Sequence, residues 1–520
     1  KPEARETIIG AFNQGALIVN YIGHGSANLW ADERVFRRIE DIPRLNNGKR
    51  MSLVFTASCS IGKFDFPLVE CMAEDLMRGR THGTISVISA TREVYAQPNA
   101  QLNNELFDQF LFNDSMGVGQ ALYMAKFLRS LQNGGYVFDN DKLFMVFGDP
   151  SQILQYPKFK ARPILAPDSL VALTVDSIAG EIVDDHGNLR SDFSGNIWIT
   201  VKDGTVLRSV TARNHMNIPL PPPNIISYTA PGATIFIGPA DVQGGRFSTR
   251  FFIPKDVTYG SRGAKIYAYA ENGQLDALGV VDSILISGSL PTIQDSIGPT
   301  IALFADGRPF RAGATMVTSN FALGAEIRDE HGINITGQLG HSIVVSVDDG
   351  GSYEADVTGY FRFNQGDYQG GRLEFVLPQL PLGEHTLSLK AWDNFNNSTM
   401  VTRSIEVVAD GELQITEVMN YPNPVRRGDG GTAFQYRLSG DVDKVTIKIF
   451  TEAGRKIKSL ELTASNQTQM DYNQVSWNLL DADGDHLANG IYLYQVNAER
   501  RTGDGGKESA SETGKLVILR

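Results

Sequence analysis

Two short stretches of this sequence carry residue types that can do chemistry together, Gly23-His24-Gly25 and Thr56-Ala57-Ser58-Cys59. A cysteine attacks a carbonyl carbon as its thiolate, and a neighbouring histidine takes the thiol proton or holds the thiolate by charge. The oxyanion that forms needs N–H donors fixed in advance, and backbone amides at tight, glycine-containing turns supply them. Gly25 and Cys59 are placed to give those two amides. One reading of the pair is therefore Cys59 as nucleophile and His24 as general base and acid. The other is a small apolar core cysteine and a loop histidine, the commoner fate of each residue taken alone.

The elements that would position them are visible in the apolar pattern. Leu17-Ile18-Val19-Asn20-Tyr21-Ile22 precedes the histidine and Leu53-Val54-Phe55 precedes the cysteine. Both runs are too short for helices and read as buried parallel strands, apolar throughout. His24 and Cys59 then emerge at the carboxyl ends of neighbouring strands, where open α/β sheets bind ligands. A helix is predicted from Arg5 to Asn13, a third strand over Thr84-Ile85-Ser86-Val87-Ile88-Ser89, amphipathic helices from Asn99 to Phe112 and from Met116 to Leu131, and a last strand over Leu143-Phe144-Met145-Val146-Phe147. This alternation predicts helices packed on a mostly parallel sheet over residues 1–160. The loop over residues 90–99 leaves the same sheet edge as the two site strands. It makes Arg92 and Tyr95 candidate substrate-pocket residues, with an ordinary strand-to-helix connection as the alternative. Cys71 falls in a stretch, residues 67–77, whose apolar positions 68, 72, 76 and 69, 73 follow helical spacing, so it is expected in the core. A Cys59–Cys71 disulfide would remove the nucleophile, and two free thiols are expected.

After Pro157 the pattern changes to short β-rich runs with turn residues about every ten positions, which predicts β-sandwiches. Gly180-Glu181-Ile182-Val183-Asp184-Asp185-His186-Gly187 is echoed by Ala325-Glu326-Ile327-Arg328-Asp329-Glu330-His331-Gly332. Each is followed at nearly equal distance by an Asp-Gly turn, Asp203-Gly204 and Asp349-Gly350, so two related β-domains are expected. Ser287-Gly288-Ser289-Leu290-Pro291 and Val408-Ala409-Asp410-Gly411 read as boundaries, giving units at 161–290, 291–410 and 411–520. His186 and His331 stand beside acids, but Asp-rich turns ending in glycine ordinarily bond their own backbone, and no metal is expected there. Nor is calcium expected at Asp481-Ala482-Asp483-Gly484-Asp485, because Tyr492 stands where an EF-hand loop needs its glutamate. No cofactor is called for.

Composition bounds the function. At 520 residues the chain exceeds single-domain size. A net charge of −12 and a pI near 5.3 offer no basic face for nucleic acid. Two cysteines exclude a disulfide scaffold. Lys1-Pro2-Glu3-Ala4-Arg5-Glu6 does not read as a signal peptide, and no run of eighteen apolar residues predicts a spanning helix.

Gly-His-Gly after a strand, Ala-Ser-Cys after another, and Phe64-Asp65 beyond the cysteine resemble the gingipain-like cysteine peptidases, family C25; Ser26, Trp30, Ala31 and Asp32 extend the match. The resemblance implies a caspase-like α/β fold, Cys59 as nucleophile, His24 as general base and acid, and an oxyanion hole from the Gly25 and Cys59 amides. The family's histidine-orienting carboxylate lies well upstream of the histidine, so residues 1–160 are expected to be the C-terminal part of an N-terminally truncated catalytic domain. Asn420-Tyr421-Pro422-Asn423-Pro424 and Gly490-Ile491-Tyr492 resemble FlgD-like, sorting-type immunoglobulin-like domains. The expected fold is thus a caspase-like segment followed by three all-β immunoglobulin-like sandwiches. The order of pieces is similar to that of the sortases of the type IX secretion system. That resemblance implies an exported enzyme associated with the outer membrane at the bacterial cell surface. It implies protein substrates bearing C-terminal sorting domains, an outer-membrane barrel anchor with attachment-complex partners, and lipopolysaccharide as acceptor of a transferred acyl group. A secreted C25 protease with its own sorting domain and an inactive β-rich surface scaffold are the alternatives.

Overall fold

The computed structural model describes residues 2–67, 70–79, 82–111, 115–211, 225–288, 294–310, 313–409, 413–463, 466–502 and 506–519. Leu68 and Val69 of the expected helix, Phe112, and the expected boundaries at 290–291 and 410–411 lie outside them.

The amino-terminal segment is a four-stranded sheet flanked by helices. Its elements are α1 (Pro2–Gln14), β1 (Ile18–Ile22), β2 (Ser52–Ala57), α2 (Met72–Arg78), β3 (Thr84–Ala90), α3 (Ala96–Glu105), α4 (Val118–Gln132) and β4 (Phe144–Gly148). The strand order is β1-β2-β3-β4, parallel between β1 and β2 and between β2 and β3, and antiparallel between β3 and β4. Strand β2 is buried along its whole length, and its period-2 alternation divides it between two cores. Leu53, Phe55 and Ala57 pack with Leu102, Leu106, Val118 and Leu122 on one face. Val54 packs with Ile9, Phe12, Trp30, Met72 and Leu76 on the other.

Three local expectations are corrected. Strand β1 is not buried throughout: it stands at the edge of the sheet, and Asn20 and Ile22 are exposed. Helix α2 begins at Met72 rather than at 67, because Cys71 is its N-cap and the Glu74 carboxylate accepts the Cys71 N–H at 2.8 Å. Helix α3 begins at Ala96, and its continuation, Leu106–Phe110, is a π-helical turn.

The β-rich remainder forms three units. In the first, strands Arg262–Glu271, Gly195–Lys202, Thr234–Gln243, Arg246–Phe252, Val175–Val183, Phe159–Leu165 and Asp276–Ser287 pair in that order, and the last pairs back to the first. The sheet therefore closes on itself, where an open sandwich was expected. Register shifts between Arg262 and Ile266 bend the closing pair, as β-bulges do. The second unit is two five-stranded sheets, and the terminal unit pairs a three-stranded with a five-stranded sheet, both in the manner of sandwiches.

The units are not independent. One continuous core runs from Ala161 to Val407 across the first two, and Phe236 of the first stacks on Phe363 of the second at 4.7 Å. The amino-terminal segment docks on the second unit: Tyr360 lies against α1, its hydroxyl donating to the Glu6 carbonyl at 3.4 Å, and Gln14 Nε2 donates to the Gly359 carbonyl at 2.9 Å. Among the described residues no helix is long and apolar enough to cross a membrane.

Candidate active site

Parallel pairing sets His24 and Cys59 side by side in the chain's geometry. Ile22 is in register with Ala57, so each candidate stands two residues beyond a paired position at the carboxyl end of its strand. The Gly23 N–H still reaches the Ala57 carbonyl at 3.4 Å. Beyond it the chain turns into a small sheet of Gly25–Ser26, Leu29–Trp30 and Phe36–Arg37.

The His24 backbone is pinned from two sides. Its carbonyl accepts the Tyr21 hydroxyl at 2.6 Å and the Ala31 N–H at 2.8 Å. Tyr21 is itself stacked on the buried Trp30, centroids 4.6 Å apart, and burial pushes its phenol up to about 12. Tyr21 therefore stays a hydrogen-bond donor at any physiological pH. The His24 ring is exposed, and among the described residues no side chain hydrogen-bonds it. Asp32 and Glu33 do not orient it.

Gly25 is there for want of space. A Cβ at this position would fall 2.3 Å from Ser58 Oγ and 2.9 Å from Ile61 Cδ1. The Gly25 backbone thus packs directly on the turn carrying Cys59, as two amides sharing one oxyanion require. Ser58 is fully buried, and among the described residues its hydroxyl has no hydrogen-bond partner.

Cys59 is half-buried, and its sulfur is held by a backbone no side-chain pattern predicts. The thiol donates to the Val94 carbonyl at 3.3 Å, and the Val94 N–H donates to the sulfur at 3.5 Å. That N–H is a ready donor to a thiolate. The two loops around the cysteine are laced further by Ser60 N–H to the Arg92 carbonyl and Gly62 N–H to the Ala90 carbonyl, both 3.0 Å. Cys71 is the contrasting thiol: it is buried, and burial pushes it up to about 12.

Arg92 and Tyr95 lie on the loop that holds Cys59, but among the described residues neither side chain hydrogen-bonds it. The Arg92 guanidinium makes a bidentate pair with Asp65, at 3.0 and 2.5 Å, which ties the loop after Cys59 to the loop after β3. The Tyr95 ring is 75 % exposed, while its N–H donates to Asn140 Oδ1 at 2.8 Å. Sequence reasoning gave no role to Val94 or Ser58 and took Asp65 only as part of a motif. Only Asp65 carried a signal in its residue type, since the other two act through backbone and through packing.

A cysteine at one strand end, a histidine at the next and a glycine pressed on the cysteine turn make a constellation for thiol-dependent acyl chemistry. Residues 1–154 match the model of peptidase family C25. The C25 segment is gingipain-like. Gingipain R1 of Porphyromonas gingivalis is 26 % identical over 220 residues, which is 40 % of this chain and 21 % of that protein. Gingipain R2 of the same species is 29 % identical over 178 residues, 32 % of this chain and 23 % of its own. The chain thus spans about a fifth of the length of these curated relatives. Residues 423–502 match the FlgD Ig-like domain. Among solved structures, dimeric latent PorU from Porphyromonas gingivalis aligns over 85 % of this chain and 41 % of its own, with 24 % identity and a TM-score of 0.32.

Proposed function

We propose that this chain is part of a cell-surface cysteine peptidase that removes C-terminal sorting domains from exported proteins, the sortase of a type IX secretion system. The observation that carries the chemistry is the placement of His24 and Cys59 at the ends of two register-paired parallel strands, with the Cys59 sulfur held between the N–H and carbonyl of Val94. In this reading His24 takes the Cys59 proton and the sulfur adds to the scissile carbonyl. The Gly25 and Cys59 amides stabilise the oxyanion, and collapse to a thioester expels the amine, which receives the proton from His24. Water resolves the thioester in proteolysis. An amine on lipopolysaccharide resolves it in transfer.

The same reading makes the C25 segment caspase-like, places the protein at the outer membrane, and assigns an outer-membrane barrel and attachment-complex proteins as partners. A secreted C25 protease carrying its own removable sorting domain is the second reading, and the terminal unit's attachment argues against it. Arg437, nearly buried in that unit, bonds Asp471 and Glu417 of its own unit at 2.7 and 3.0 Å. It also bonds Glu406 and the Ala314 carbonyl of the preceding unit, both at 3.0 Å. Arg308 reaches across to both oxygens of Asp441 at 2.8 Å. A unit held this way suits a permanent part of the enzyme. An inactive scaffold is the third reading, and the lack of a carboxylate on His24 among the described residues is what favours it.

The test is Cys59→Ala in the complete protein, expressed in its native host, with the size and surface attachment of sorting-domain proteins followed. Accumulation of unprocessed, unattached cargo is expected. Normal processing of all cargo would overturn the sortase reading.

A further inference from the structure

The turn Asp329-Glu330-His331-Gly332 differs from its counterpart in the first β-unit in what surrounds it. In the first unit Asp184 is spent on its own turn, accepting the N–H groups of His186 and Asn188 at 2.9 Å and Asn188 Nδ2 at 3.1 Å. In the second, Asp329 Oδ1 likewise accepts the His331 N–H, at 2.8 Å, but ligand atoms of Asp295, Asp329 and His331 also lie within 4.8 Å of one another. Asp295 comes from the connector between strands Asp276–Ser287 and Thr300–Ala305, so the three donors arrive from two separate parts of the chain. His331 Nδ1 and Asp295 Oδ2 are 2.6 Å apart and share a proton.

A second observation points to a missing partner. Asn394 is 2 % exposed and its side chain reaches this turn, Nδ2 donating to the His331 carbonyl at 2.7 Å, while its Oδ1 has no hydrogen-bond partner among the described residues. A buried amide oxygen without a donor is costly, and a cation satisfies it as well as a hydrogen bond would. Among the described residues no lysine or arginine pairs with Asp295, Asp329 or the adjacent Asp393.

We infer that Asp295, Asp329 and His331, beside the buried Asn394 side chain, bind a divalent transition-metal ion of the Zn²⁺ or Mn²⁺ kind. Two carboxylates with an imidazole suit such ions, whereas Ca²⁺ prefers six to eight oxygens. Donors to one such ion stand up to about 4.2 Å apart, twice a bond of ~2.1 Å. The cluster therefore closes by a few tenths of an ångström. The ion takes the place of the proton between His331 Nδ1 and Asp295; a neutral imidazole carries that proton on Nε2 instead, and an imidazolium gives it up to solvent.

The location gives the site a consequence. Phe252 of the first unit packs its ring on His331 and Phe395, at 5.9 and 6.0 Å, and Lys255 N–H bonds the Asn394 carbonyl at 2.9 Å. A bound ion would thus fasten the connector and the second unit together at their joint with the first.

The test is calorimetric titration of the EDTA-treated full chain with MnCl₂, ZnCl₂ and CaCl₂, with thermal unfolding read alongside. One Mn²⁺ or Zn²⁺ per chain is expected, with a raised unfolding midpoint. Asp329→Asn and His331→Gln should each weaken binding by no less than the ~10–100-fold that loss of an outer-shell partner costs. His186→Gln, in the counterpart turn, should leave it unchanged. Unaltered circular dichroism of the unliganded variants separates lost ligation from lost folding. Absence of binding by the wild-type chain would overturn the assignment, as would binding indifferent to Asp329→Asn, or Ca²⁺ binding indifferent to His331→Gln.

Discussion

At the scale of single residues the two cysteines are set apart by their surroundings rather than by their type. Cys59 is half-buried with a backbone N–H on its sulfur, whereas Cys71 sits in the core with its thiol pushed up to about 12. Because the thiolate is the reactive species, iodoacetamide at pH 7.5 should label Cys59 and leave Cys71 untouched in the native chain. Peptide mass spectrometry reads the ratio, and equal labelling of both would show that Cys71 is not in the closed core described here. The types and spacing of Gly23-His24-Gly25 and Ala57-Ser58-Cys59 were legible because strand-end chemistry needs those side chains. Val94 was not, since any residue supplies the same N–H and carbonyl. Nor was Asp295, which has no fixed spacing to the turn it joins.

At the scale of elements, strand β2 was legible from its apolar run, because both its faces are covered. Strand β1 carries a similar run yet lies at the sheet edge, a distinction that composition cannot make. Helix starts were displaced for a related reason: caps are set by single side chains such as Glu74, not by the apolar period. One small element matters beyond its size. The turn Asp139–Lys142 presents Asn140, which accepts the Tyr95 N–H at 2.8 Å and donates to Asn99 Oδ1 at 2.9 Å. It thereby fixes the loop that grips Cys59. The turn is anchored in turn by Asp141, wholly buried and bonded to Arg129 Nε at 2.6 Å. Removing one member of a buried ion pair leaves the other uncompensated, at a cost of about 3–5 kcal/mol. Asp141→Asn should therefore lower the unfolding midpoint of the segment and, at temperatures where it stays folded, slow alkylation of Cys59 as Val94 loses its place. Unchanged alkylation in a folded Asp141→Asn chain would disconnect this turn from the site.

At the scale of the whole molecule, the C25 segment is braced by a unit more than three hundred residues away in sequence. Glu6 and Arg44 form a nearly buried bidentate pair at 2.7 and 2.9 Å, the Arg44 guanidinium lies 5.8 Å from the Phe375 ring centre, and Tyr360 covers α1 at Gly10 and Glu6. Long-range docking of this kind leaves no periodic trace, so the sequence could order the units but not place them against one another. The two cysteines, both within the C25 segment, make the brace measurable. In a Cys59→Ala background Cys71 is the single thiol, and being in the core it reacts only when the segment opens. Tyr360→Ala removes a half-buried aromatic from the interface, and about 1–3 kcal/mol of stabilisation should go with it, less than the ~3–5 kcal/mol for a fully buried ring. Cys71 should then be labelled at lower urea concentration than in the parent. The terminal unit, reported by Trp477 stacked on Phe434, should unfold where it did before. A coincident shift of both probes would mean that the molecule unfolds as one body, and no shift at Cys71 would mean that the second β-unit does not support the peptidase segment at all.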